Sequence, residues 1–346
     1  MRVLVTGGAG YIGAVLCRQL LEAGHRPVVF DRLFWGRKPL AGLDVEIVAG
    51  DLRDFDAAWL DGIEAVCHLS GLSNDPTAEY NTEANWQMNA IATGTLVAAC
   101  KARGIGRFTF ASSASIYDSD VSAELSRSPI MCDETTVVRP RGAYSISKKY
   151  AEDAILGAAD ERFAPVIFRQ GTVYGYSPRM RFDLVVNTFI KDAIVFKRLS
   201  LHGGGWMWRP LVDVEDVARV HVLALEAPLD RIRGQIYNVM EENYQIRQLA
   251  MLVAGSLSLV KPAIGVELAE TPLPALVRNY RMSNAKLSNA LDFTPSRTVL
   301  ESIQNMLERL PLDRIDEYGD PRYYNIRWMT LLEELHAEQR TFATIY

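Results

Sequence analysis

The feature that most constrains this chain is a glycine-rich turn near its start, set between two apolar runs. Val3-Leu4-Val5 reads as a short strand buried on both faces. Thr6-Gly7-Gly8-Ala9-Gly10 follows as a tight turn, and Gly7, Gly10 and Gly13 give the spacing G-x-x-G-x-x-G. From Ile12 to Ala23 the residues Ile12, Val15, Leu16, Leu20 and Leu21 recur at helical spacing, with Gly24 as a helix stop. Pro27 to Phe30 is a second strand, ending at Asp31. Glycine spacing alone is weak evidence, because any tight turn uses glycine. Here strand, turn, helix and strand form one βαβ unit. Its backbone can approach a pyrophosphate, and the helix offers unpaired N–H groups and a positive dipole end. Asp31, placed about 20 residues further on, can accept from ribose hydroxyls. Dinucleotide binding is the expectation. Asp31 would repel a ribose 2′-phosphate, which favours NAD over NADP, although Arg32 next to it can pair with that phosphate.

The alternation continues. Val45-Glu46-Ile47-Val48 leads into Gly50-Asp51, Ala65 to Leu69 into Ser70-Gly71, and Phe108 to Ala111 into Ser112-Ser113. Asn85–Arg103 and Tyr144–Gly157 read as helices, and Pro165–Phe168 as a strand. This pattern predicts an α/β fold with a doubly wound parallel sheet. Ligands of such sheets bind beyond the carboxyl ends of the strands, where these polar turns fall. After Gly175, seven prolines from Pro178 to Pro295 punctuate short segments, read as a smaller α+β region on the substrate side. A helix around Arg327 to Glu338 is expected near the end.

With 346 residues, 49% hydrophobic and 23% charged, the chain is neither disordered nor fibrous. Its net charge of −5 and the lack of a basic block argue against nucleic acid and anionic membranes as partners. Cys17, Cys67, Cys100 and Cys132 are far apart and form no CxxC pair, so neither a metal site nor a redox motif is expected. No apolar run reaches membrane-spanning length and no signal segment is visible, so the expected location is the cytoplasm.

Tyr144 and Lys148 stand i, i+4 on one helical face. A phenol is a poor base at neutral pH, but an adjacent ammonium stabilises its phenolate. Ser113, at the serine-rich strand end Ser112-Ser113-Ala114-Ser115, would share a substrate oxygen with Tyr144. The competing reading of these serines is turn and cap chemistry. Asp51 suits an adenine amino edge, or a helix N-cap before Leu52-Arg53-Asp54.

Taken together, these segments resemble the extended short-chain dehydrogenase/reductase family, in particular its NAD-dependent nucleotide-sugar epimerases and dehydratases. The resemblance covers about residues 1–310. It rests on Thr6 to Gly13, Gly50-Asp51-Leu52, His68-Leu69-Ser70-Gly71, Ser112 to Tyr117, Tyr144-Ser145-Ile146-Ser147-Lys148, Val173-Tyr174-Gly175 and Arg209 to Ala218. It implies a Rossmann-like domain over residues 1–172 plus about 216–238, and a nucleotide-sugar-binding domain over 173–215 plus about 240–310. Residues 311–346 form an extension that the family pattern does not explain. The implied catalytic set is Ser113, Tyr144 and Lys148. On the NAD side it implies Gly7, Gly10, Tyr11, Ile12, Gly13, Asp31, Arg32, Asp51, Leu52, Leu69, Ser70, Gly71, Asn89, Ser112, Gln170 and Val173, with Tyr144 and Lys148. On the nucleoside diphosphate sugar it implies Ser113, Ser115, Thr172, Arg181, Arg209 and Arg281. Asn89, in the family, fastens two strand ends. A homodimer through helices 85–103 and 144–157 is implied as well.

The departures narrow the chemistry. Dehydratases of the family resemble Thr-Asp-Glu where this chain has Ser113-Ala114-Ser115, and Ala114 cannot replace an acid. Decarboxylases carry a glutamate, and 3,5-epimerising members a cysteine, where Ser115 stands. What remains is C4 epimerisation through a transient 4-keto sugar, or NAD(P)H-dependent 4-ketosugar reduction. A non-catalytic NAD-binding protein on the same fold is a third reading, opposed by the retention of all three catalytic residues. Arg209 is read on the diphosphate or in a surface salt bridge, Trp206 and Trp208 as base-stacking or packing residues, Asp216 as a helix cap, and His68 as a buried, satisfied histidine.

Overall fold

The computed structural model describes residues 1–117, 129–273 and 278–345, with side chains described through Gln339. Seven strands form the central sheet: β1 (Arg2–Thr6), β2 (Arg26–Asp31), β3 (Glu46–Ala49), β4 (Ala65–His68), β5 (Arg107–Ser113), β6 (Ala164–Gln170) and β7 (Gln235–Val239). Their order is β7-β6-β5-β4-β1-β2-β3, and every pairing is parallel. The sheet is buried on both faces, which is why its strands read as unbroken apolar runs. Val3 and Val5 enter one core with Ala65 and Cys67, while Leu4 enters the other with Val66, Phe108 and Phe110.

Helix α1 (Tyr11–Glu22) follows the glycine turn and ends before Gly24, whose φ is +77°. The expected helix 85–103 is interrupted. The chain makes short helices at Asp75–Tyr80 and Thr82–Trp86, then a wide π turn at Gln87–Ile91, before α2 (Ala92–Ala102). Asn89 sits in that turn. Its Oδ1 accepts from Leu72 N at 2.8 Å and its Nδ2 donates to Leu72 O at 2.9 Å. These two bonds satisfy a buried loop peptide, and π turns of this kind recur at functional sites. Helix α3 (Ala143–Ala158) lies beside it.

Helix α4 (Val214–Glu226) packs on α1. Its N-cap is Asp213, which accepts from Glu215 N at 2.8 Å, and not Asp216. Asp216 is buried and instead accepts from Ser296 N and pairs with Arg219. Residues Thr172–Tyr174, Trp208–Asp213 and Glu242–Gln245 form a small sheet beside the cleft. One apolar core runs from α1 through Phe182 and Leu249 to Ile303 and Tyr318, so the later segments share packing with the central sheet. The final helix, α5, spans Asn325–Ile345 and is longer than expected.

Candidate active site

The glycine turn is shaped by close backbone approach. Gly7 has φ +74°, and a Cβ on Gly13 would lie 2.1 Å from Gly7 O, so this helix can approach the turn only as glycine. Gly10 caps α1 without a side-chain hydrogen bond, leaving the first-turn amides facing a cleft. That cleft is lined by the three glycines, Tyr11, Ile12, Asp31, Arg32 and the strand-end residues Leu69, Ser70 and Gly71. Tyr11 is fixed by its OH, which donates to Gly175 O at 2.6 Å. Asp31 accepts from Ala9 N at 3.0 Å and Leu33 N at 2.7 Å, tying the turn to the loop that follows β2. Burial raises its pKa despite those bonds.

Several expected cofactor residues lie outside this lining. Asp51 is an N-cap: it accepts from Arg53 N at 3.0 Å and is clasped by Arg53 and Arg32. Leu52 is core. Asn89 secures the Leu72 backbone behind Gly71. Ser112 Oγ donates to Glu152 at 2.6 Å, Gln170 approaches His221, and Val173 packs against the apolar core. His68, joined to Thr6 at 2.6 Å and Thr93 at 2.8 Å, is pushed down to about 3 by burial and by Lys148, so it is a neutral brace between elements.

Ser113, Tyr144 and Lys148 meet at the carboxyl end of β5. Tyr144 enters at the second residue of α3, the positive end of that helix, next to Ser113, whose Oγ accepts from Ser115 N at 3.2 Å. Burial pushes the Tyr144 phenol up to about 12, and Asp75 adds to this; the neighbouring Ser113 hydroxyl and Arg181 act in the opposite direction. Lys148 Nζ donates to Ala111 O at 2.8 Å and lies 5.9 Å from the Tyr144 ring centre. Burial lowers it to about 8, with Glu152 one turn on holding it up. Beneath them Glu152 and Arg169 form a buried pair at 2.8 Å. Ser115 Oγ is buried without a partner among the described residues.

A second cavity lies between Trp208–Asp213 and the helix Val185–Val195. Thr172, Asp183, His202, Arg209 and Arg278 line it. Arg209 donates to Trp208 O at 2.8 Å and to Arg278 O. Arg278 pairs with Asp75 at 2.6 Å. Two expectations shift here. Arg281 lies away from this lining, because its guanidinium donates to Pro129 O at 3.0 and 2.7 Å and covers Trp208. Arg181 lines the glycine-turn cleft, paired with Asp183 at 2.8 Å and donating to Ser73 at 2.9 Å. Trp206 is likewise covered, by Arg247. Sequence reasoning missed Arg278, Phe34, Trp35, Asn325 and Met329 as lining residues.

A parallel sheet of this order with a glycine cradle and a Ser/Tyr/Lys cluster at neighbouring strand ends defines a dinucleotide-dependent enzyme. Residues 3–239 match the NAD dependent epimerase/dehydratase family. The chain belongs to that family, and its cofactor is NAD. It is 27% identical over 328 residues to a UDP-glucose 4-epimerase of Corynebacterium glutamicum, covering 88% of this chain and 93% of the relative. It is 30% identical over 230 residues to a 2-alkyl-3-oxoalkanoate reductase of Stenotrophomonas maltophilia, covering 66% of each. The solved UDP-glucose 4-epimerase of Thermus thermophilus, in complex with NAD, superposes with a TM-score of 0.74 at 26% identity, covering 91% of this chain and 99% of that one. The cleft fits the cofactor on its own evidence: its glycine turn leaves no room for a Cβ at Gly13, and the buried cations Arg179 and Arg181 stand on its wall, suited to an anionic ligand.

Proposed function

We infer that this enzyme is a nucleoside diphosphate sugar 4-epimerase working through a transient 4-keto sugar. The observation that carries this reading is the placement of Tyr144 and Lys148, 5.9 Å apart on one helix, beside Ser113 at the end of β5, with Ala114 and Ser115 where elimination chemistry needs acids. The glycine turn and Asp31 would hold NAD, which supplies a reversible hydride acceptor. Tyr144, once deprotonated, takes the proton from the C4 hydroxyl and later returns it. Ser113 Oγ orients that oxygen, and Lys148 supplies positive charge next to the phenol. Arg209 and Arg278 line the second cavity as cations suited to a diphosphate. The similarity to UDP-glucose 4-epimerases makes UDP-hexoses the first substrates to assay.

The second reading is a ketoreductase on the same residues, favoured by the likeness to the oxoalkanoate reductase. The two differ in stoichiometry. Interconversion of UDP-glucose and UDP-galactose without net NADH change supports epimerisation, whereas consumption of one NADH per product supports reduction. Tyr144→Phe should lower kcat by about 10²- to 10⁴-fold in either case. Near-normal turnover of that variant on the true substrate would sink both.

A further inference from the structure

Residues beyond 310 lie outside the family match, yet the last helix reaches the cofactor cleft. Asn325, the first residue of α5, is 4% exposed. Its Oδ1 accepts from Arg179 Nη2 at 2.5 Å, its Nδ2 donates to Ser73 Oγ at 3.2 Å, and its backbone N donates to Asp183 at 3.3 Å. Met329, one turn further, lines the cleft itself. Between them Trp328 Nε1 donates to Phe34 O at 2.5 Å, pinning the loop after β2. Thr330 and Glu333 both bond Tyr80 OH, at 3.1 and 2.7 Å, anchoring the far side.

Arg179 is the residue this arrangement holds. It is 5% exposed, stacked at 3.9 Å on Trp35, and lines the cleft with Arg181. Two buried guanidiniums on one wall repel each other in a low-dielectric setting. Burial and Arg181 together pull Arg179 down to about 9, and its Nε has no partner among the described residues. An anion in the cleft that both arginines line offsets that charge.

We propose that α5 completes the cofactor site: Asn325 positions Arg179 toward the diphosphate of NAD, and Met329 closes the cleft beside it. No described residue of α5 is among the lining of the second cavity, so the cap acts on the cofactor and leaves the substrate side open. NAD then leaves slowly while sugar nucleotides exchange. The inference needs NAD binding and is independent of whether the enzyme epimerises or reduces.

The test uses the full chain. Asn325→Ala removes the positioning amide, and Met329→Glu places a carboxylate at a partly exposed site on the cleft wall. NAD affinity is read by calorimetric titration, and release by chasing bound NAD with fluorescent etheno-NAD. Both variants should raise Kd and the release rate about tenfold or more. The KM for the sugar nucleotide should stay near the parent value in both variants, and so should the cofactor-free melting temperature of Met329→Glu, whereas Asn325→Ala, which deletes a buried amide, should melt somewhat lower. Parental Kd and release rate in both variants would overturn the proposal, as would weaker binding in Met329→Glu matched by an equal loss of cofactor-free stability. Should Asn325→Ala fail to fold, Met329→Glu decides alone.

Discussion

Lys148 is an ammonium with little water around it. Burial brings it to about 8, so it holds its proton below that pH and loses it above. Tyr144 is opposed, because burial holds its phenol near 12 and the group needs positive charge to ionise. As the proposed catalytic pair, they would therefore work only while Lys148 is charged. The basic limb of kcat/KM should fall through about pH 8, and Lys148→Arg, if active, should move that limb upward. An unmoved limb in an active Lys148→Arg variant would assign it to another group. Tyr144 and Lys148 were legible because a four-residue spacing on a helix is local. Arg278 was not, because its approach to Arg209 and Asp75 depends on how distant segments cross.

At the scale of elements, six of the seven strands of the central sheet were readable as apolar runs, since burial on both faces removes any need for alternation, whereas β7, with Gln235 and Asn238 in five residues, was not read as a strand. The interruption at Gln87–Ile91 was not, because apolar residues continue through it at near-helical spacing. The one local sign was an asparagine at mid-helix, a poor place for a residue that competes with the backbone for hydrogen bonds. Asn89 also gives Gly71 its shape, since a Cβ there would meet Asn89 Oδ1 at 2.4 Å. Asn89→Ala leaves the Leu72 N–H and C=O without their partner. It should cost about 2 kcal/mol of stability, read by urea denaturation, and should weaken NAD binding as the Ser70–Gly71 loop loosens. Parental stability in this variant would mean that the loop holds itself.

For the whole molecule, we propose a homodimer through the face formed by the Gln87–Ile91 turn and α3. Ile91, Ile146 and Tyr150 are each more than 40% exposed there, and the Trp86 ring packs against Tyr150 with centroids 4.9 Å apart, tilted by 53°. Exposed apolar groups clustered on two packed helical segments mark an association surface. Light scattering should give twice the chain mass at micromolar concentration, and the double variant Ile91→Asp, Tyr150→Asp should give a monomer. A monomeric parent would refute this. The later segments were the least readable part of the sequence. Their packing onto α1 and over the cleft is set by contacts between residues far apart in the chain, which periodicity cannot report.

The order of the central sheet also has a consequence for how the protein is made. The outer edge of β6 stays bare until β7 arrives, because the segment from Gly171 through Gly234, α4 included, is translated between them. At ribosomal speeds that interval lasts several seconds. During it, the strand Ala164–Gln170, buried along its whole length in the finished fold, offers unsatisfied amides and carbonyls to any neighbouring nascent chain. Synthesis, more than the finished enzyme, is therefore where this fold is exposed to aggregation, and where a chaperone would find it.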